Sequence, residues 1–164
     1  MRKLTSLTLI AVVAILATAV AASSGANTIK PKKIAFTGSY SGQASTLVNG
    51  GTVTISAKGT GKGTLVGSGA IAASGTGDST QQPCVPFGGT GKISGAGGTI
   101  AFKANPGATG CGDEGGHNFT VKVYLAVTKA TGKLAKAKGT LRAIGTYNRD
   151  DGSFQVKLTG LLTK

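Results

Sequence analysis

Residues 118–129 read NFTVKVYLAVTK. Phe119, Val121, Val123, Leu125 and Val127 fall on one side of a two-residue repeat, and Asn118, Thr120, Lys122, Tyr124, Ala126 and Thr128 fall on the other. Successive side chains alternate in this way along an extended strand and not along a helix. A strand apolar on one side and polar on the other belongs to a sheet with one dry and one wet face.

The same pattern recurs along the chain. It places Ile34, Phe36, Gly38 and Tyr40 on one face, and Val53, Ile55 and Ala57 on another strand after the hairpin signal Asn49-Gly50-Gly51. Leu65, Gly67, Gly69, Ile71 and Ala73 form a third inward row; Ile100, Phe102 and Ala104 a fourth; Phe154, Val156 and Leu158 a fifth, after the Asn148–Gly152 turn. Residues 78–87 and 105–116 read as long loops. No stretch beyond the N-terminal segment keeps a 3.6-residue period. All 28 glycines lie after residue 21, an excess that suits tight turns and close strand approaches. The expectation is an all-β fold over 33–164, a single antiparallel β-barrel or two-sheet sandwich of about 8–10 strands. An outer-membrane barrel is disfavoured, because such barrels turn an apolar band outward between aromatic girdles.

The N-terminus has a basic start, Met1-Arg2-Lys3, then an apolar run and the small-x-small stretch Ala19-Val20-Ala21. This predicts a signal peptide over 1–21, a flexible basic leader over 22–32, and a protein that is secreted or associated with the cell envelope, with no transmembrane anchor after cleavage. In that oxidising setting Cys84 and Cys111 are expected to form a disulfide closing a hairpin between them.

Lysine and arginine number 18 against 5 acids, a formal charge of +13. Arginine is scarce beyond the N-terminal segment, which favours general attraction to anionic surfaces over bidentate reading of phosphate. Lys129, Lys133, Lys136, Lys138 and Arg142 form a basic run without an acid, a candidate contact for an anionic cell-envelope polymer. Aromatics are not interleaved with these charges, so no nucleic-acid partner is expected. His117 beside Asp113 and Glu114 is a weak metal set, and no metal or cofactor is expected. Asp113 or Glu114 facing Asp150 or Asp151 would be a carboxylate pair, but nothing in their spacing selects it, and no catalytic residue is assigned.

The segment TGKISGAGGTI (90–100) returns as TGKLAKAKGTL (131–141). Neither copy has the spacing of a phosphate loop, and the Gly110–Gly115 match to G-x-G-x-x-G carries two acids and precedes a strand. Because lysine replaces Gly95 and Gly97 in the second copy, the repeat reads as one kind of sheet corner used twice. Residues 88–100, GGTGKISGAGGTI, resemble a segment of dirigent and allene oxide cyclase barrels, and the whole chain resembles small exported glycine-rich β-proteins of actinobacteria. The first resemblance implies a barrel; the pocket acids and arginines of that family have no counterpart here. The functional expectation is a non-catalytic binding protein for an anionic polymer or a small apolar ligand. The alternative is a dirigent- or cyclase-like barrel acting on a small hydrophobic substrate. The barrel interior separates the two: a cavity with Tyr40, Tyr124 or a buried charge pointing inward favours chemistry.

Overall fold

A computed structural model describes residues 31–164. The expected signal peptide (1–21) and most of the leader lie outside them. The described chain forms β1 (Lys33–Asn49), β2 (Thr52–Gly63), β3 (Gly67–Asp78), β4 (Cys84–Gly95), β5 (Gly98–Ala104), β6 (Thr109–Gly112), β7 (Asn118–Ala130), β8 (Lys138–Asn148) and β9 (Ser153–Thr163). All pairings are antiparallel, in the order β3-β2-β1-β9-β8-β7-β5-β4, and β3 pairs with β4 to close the ring. The result is a closed barrel of 8 strands, not a sandwich. β5 and the short β6 share one position, each lying between β4 and β7.

The outward face is Thr, Ser and Lys on nearly every strand, as on β2 with Thr54, Ser56, Lys58, Thr60 and Lys62. It lacks the apolar band of a lipid-facing barrel. No helix among the described residues is long and apolar enough to cross a membrane.

Glycines make up much of the inward face, and they sit where strands approach each other too closely for a side chain. A Cβ on Gly61 would lie 2.0 Å from the Ser39 carbonyl oxygen, and one on Gly42 would lie 2.2 Å from that of Lys58. The inward aromatics fill the space so created. Tyr40 lies with its ring over Gly61 and its hydroxyl over Gly63, and the rings of Phe102 and Phe154 lie over Gly91 and Gly59, close to where a Cβ would stand. Glycine kinks covered by aromatics are a known means of curving a sheet tightly enough to close it.

The two ends differ. At one end Ile34, Phe36, Ile93, Ile100, Leu141 and Leu162 fill the bore. Leu134 and Ala137, from the β7–β8 connection, and Val66, from the β2–β3 turn, plug it. The other end is bounded by the β1–β2 turn, the β3–β4 and β6–β7 loops and the β8–β9 turn.

Several local expectations change. Leu65 is not inward: it sits in the β2–β3 turn at φ 62, is 41% exposed, and Val66 takes the buried place. Cys84–Phe87 belongs to β4, and the expected loop 105–116 contains β6. The two copies of the repeated segment are not the same corner. The first runs through β4 and a tight turn into β5, whereas the second begins with a 3-10 turn, Gly132–Leu134. They share the strand entry alone, where Gly98 (φ 133) and Gly139 (φ 139) precede Thr99 and Thr140. The copies also touch: Lys133 N–H donates to the Gly97 carbonyl at 2.8 Å and Thr131 N–H to that of Thr99 at 2.9 Å. Lysine is tolerated in the second copy because it is not making the hairpin that Gly95 and Gly97 make.

Three stability measurements check this packing. Gly61→Ala should lower unfolding free energy by about 2 kcal/mol or more, because the neighbour it meets is backbone. Gly88→Ala, where nothing lies within 4 Å, should be neutral or stabilising. The Tyr40 hydroxyl is buried and has no hydrogen-bond partner. Tyr40→Phe should therefore leave stability unchanged or raise it by about 1 kcal/mol. A loss of that size would mean that the hydroxyl has a partner.

Candidate functional site: an apolar cavity beneath the barrel mouth

The mouth half of the bore is not filled. Its inward positions are small on several strands: Ala44 on β1, Ala57 on β2, Ala73 and Gly75 on β3, Gly89 on β4 and Gly145 on β8. Between them stand Val53, Ile55, Phe87, Phe119, Val121, Phe154 and Val156. These leave a cavity of about 460 Å³, floored by Ile71, Phe102, Leu125 and Leu158 of the packed half. Cavities that hold small molecules run to about 300–1,000 Å³ and are lined mainly by apolar groups.

Polar groups enter only near the rim. Thr46 of β1 and Tyr147 of β8 meet hydroxyl to hydroxyl at 3.3 Å, a bridge over the intervening β9 position. Phe119 packs against the Tyr147 ring with centroids 6.2 Å apart. Ser79, Gln82 and Arg149 complete the rim, and Arg149 is the sole charged residue lining the cavity. Apart from the Tyr40 hydroxyl at the packed end, no polar or charged side chain is fully buried among the described residues. Tyr40 and Tyr124, the two tyrosines expected to mark a reactive pocket, do not line the cavity. Tyr40 belongs to the packed end, where burial raises its pKa, and Tyr124 is outward and 58% exposed.

The disulfide holds this end of the barrel. Cys84 of β4 and Cys111 of β6 are directly opposed and bonded. The bridge spans 27 residues of sequence. A closed loop of that length stabilises by about 3–4 kcal/mol in the chain-entropy account.

All 5 acids lie at the mouth. Asp78 ends β3, Asp113 and Glu114 are in the β6–β7 loop, and Asp150 and Asp151 are in the β8–β9 turn. The Thr80 hydroxyl and amide, with Gln81, hold Asp78 below the usual carboxylate range. Asn118 does the same for Asp113, and the Ser153 amide for Asp151. Hydrogen bonds to the ionised form lower the pKa, so these carboxylates favour the charged form more than free ones do.

His117 joins two of these loops. Its Nδ1 is 2.9 Å from the Asp150 carboxylate, and its backbone N–H donates to Asp113 Oδ1 at 2.9 Å. The fold thus brings Asp113 and Asp150 to one histidine, a grouping that spacing alone did not select. No group of His, Cys, Asp or Glu suited to a metal ion occurs among the described residues. The Gly110–Gly115 glycine pattern lies in this acidic rim and leads into β7, not into a helix.

Lys129, Lys133, Lys136 and Lys138 stand at the opposite, plugged end, and Arg142 is on the outer wall of β8. None of them approaches the cavity. Sequence reading missed the cavity because small inward residues look the same whether a neighbour fills the space above them or nothing does.

Comparison with known proteins finds no matching family model, no matching curated protein and no matching solved structure.

The mouth offers one titration to follow. The Asp150 carboxylate raises the His117 pKa above 6.5, first by hydrogen bonding and then by charge attraction. A raised histidine pKa favours the fold fully below the unfolded value, and that contribution disappears as pH rises through the folded value. Both groups are exposed, so the pair adds little to global stability. NMR titration should place His117 above its unperturbed value, and Asp150→Asn should move it back down. A His117 pKa indifferent to Asp150→Asn would show the pair to be absent in solution.

Proposed function

We propose that the protein is an exported binding protein that holds a small, neutral, apolar molecule in the mouth half of the barrel and performs no chemistry on it. The observation that carries this reading is the cavity of about 460 Å³, apolar from floor to rim and opening where the loops are. A preorganised apolar bore binds by removing ligand surface from water, at about 25 cal/mol per Å². After association costs, a ligand of two fused or linked rings is expected to bind at about micromolar Kd. The alternative of a dirigent- or cyclase-like enzyme needs a general acid or base within hydrogen-bond reach of the bound molecule. Tyr147 and Arg149 at the rim are the titratable lining groups, and neither has a partner poised to move a proton.

Fluorescence titration with the neutral dye N-phenylnaphthylamine tests the reading. The wild-type protein should bind one equivalent, and Ala57→Phe should weaken binding by at least about tenfold while thermal stability stays level or rises. Ala57 faces Ala44 and Ala73 on its two neighbouring strands, so the new ring projects into the cavity. Equal binding by the two proteins, or none by the wild type, would contradict the proposal.

A further inference from the structure

The barrel's charges are sorted along its axis in a way the sequence does not display. The acids all sit at the mouth. At the plugged pole Lys32, Lys33, Lys62 and Lys164 stand at strand ends, and Lys129, Lys133, Lys136 and Lys138 at the β7–β8 connection. All are exposed, and among the described residues no acid pairs with any of them.

Two local features show that this pole carries its charge against local cost. Lys32 and Lys164 face each other across β1 and β9, with each backbone N–H donating to the other's carbonyl at 3.0 and 2.9 Å. Like charges directly opposite on a strand pair are destabilising. Lys136 occupies the left-handed region at φ 67, a conformation that favours glycine, and still presents a long cationic side chain. A surface that concentrates uncompensated cations in this way gains most from a partner that neutralises many of them at once.

We propose that the plugged pole is a docking surface for a linear polyanion carrying repeated phosphate groups, held so that the cavity mouth faces away from it. Lysine suits such a partner because it binds phosphate as a point charge and needs no fixed fork geometry. A lipid surface fits less well. Basic segments that lie on bilayers pair their charge with Trp, Phe or Leu. The chain has no Trp, and this pole exposes two separate large apolar side chains, Leu65 in the β2–β3 turn and Leu161 on the outer wall of β9. Nucleic acid fits less well too, because the pole offers no exposed aromatic ring for a base to stack on. The proposal does not depend on the cavity being occupied.

The test uses long-chain inorganic polyphosphate and two matched variants of the whole protein. The pole variant carries Lys129→Gln, Lys133→Gln, Lys136→Gln and Lys138→Gln. The wall variant carries Lys58→Gln, Lys92→Gln, Lys122→Gln and Lys157→Gln, exposed lysines on the strands, and has the same net charge. Circular dichroism and melting curves first establish that both are folded. The wild type and the wall variant should bind with similar salt dependence. The pole variant should bind at least about tenfold more weakly at physiological salt, with a slope of log K against log salt smaller by about three. Equal losses in the two variants would overturn the docking pole and leave only net charge. Tighter binding to phosphatidylglycerol vesicles, or to single-stranded DNA of equal charge, than to polyphosphate would overturn the choice of partner.

Discussion

The fold depends on backbone contacts that only glycine permits. Around the bore, glycines on one strand lie against carbonyl oxygens of the next, at separations where any Cβ would overlap them, as at Gly61 with Ser39 and Gly69 with Ser94. This lets adjacent strands coil sharply and lets an 8-strand sheet meet itself at β3 and β4. Aromatic rings from neighbouring positions then cover the exposed backbone, as Tyr40 does over Gly61 and Gly63. A chain with no Trp builds its interior in this way from a few Phe and Tyr rings and many absent side chains.

The same device explains why one half is packed and the other open. Toward the plugged pole, aliphatic residues on several strands face each other, and Leu134 and Val66 enter from the connections to fill what remains. Toward the mouth, alanine and glycine alternate with the larger residues, and the connections leave the bore unfilled. The space is held open by elements that do not depend on its contents: a disulfide across β4 and β6, the Thr46–Tyr147 bridge, and the His117–Asp150 pair linking two loops. A rigid apolar bore beneath a polar rim is the arrangement expected for binding a small molecule with little reorganisation.

Much of the fold was legible in the sequence, for physical reasons that also mark where legibility ended. The inward row from Phe119 to Val127 was readable because period two fixes which side chains share a face, and β7 places them as read. The disulfide was readable because two cysteines flanked one hairpin. Leu65 was misplaced because a turn residue at positive φ breaks the alternation that gave its neighbours their faces. The repeated segment misled more deeply. Its conserved glycine and threonine specify only how a strand begins, and the residues before them adopt a hairpin in one copy and a 3-10 turn in the other. The cavity and the charge polarity were illegible because both arise from which strand ends share a pole. Asp78 and Asp150 are far apart in the chain and lie together at the mouth because β3 and β8 run in the same direction around the ring.

One half of this bore is packed core and the other half is an open apolar cavity. Methyl NMR on the intact protein reads both halves at once. On titration with a neutral apolar ring compound, the methyl signals of Val53, Ile55, Val121 and Val156 should shift and saturate together. Those of Ile34, Ile93, Leu134 and Leu162 should stay in place. Shifts spread evenly over both halves, or confined to the plugged end, would contradict the account.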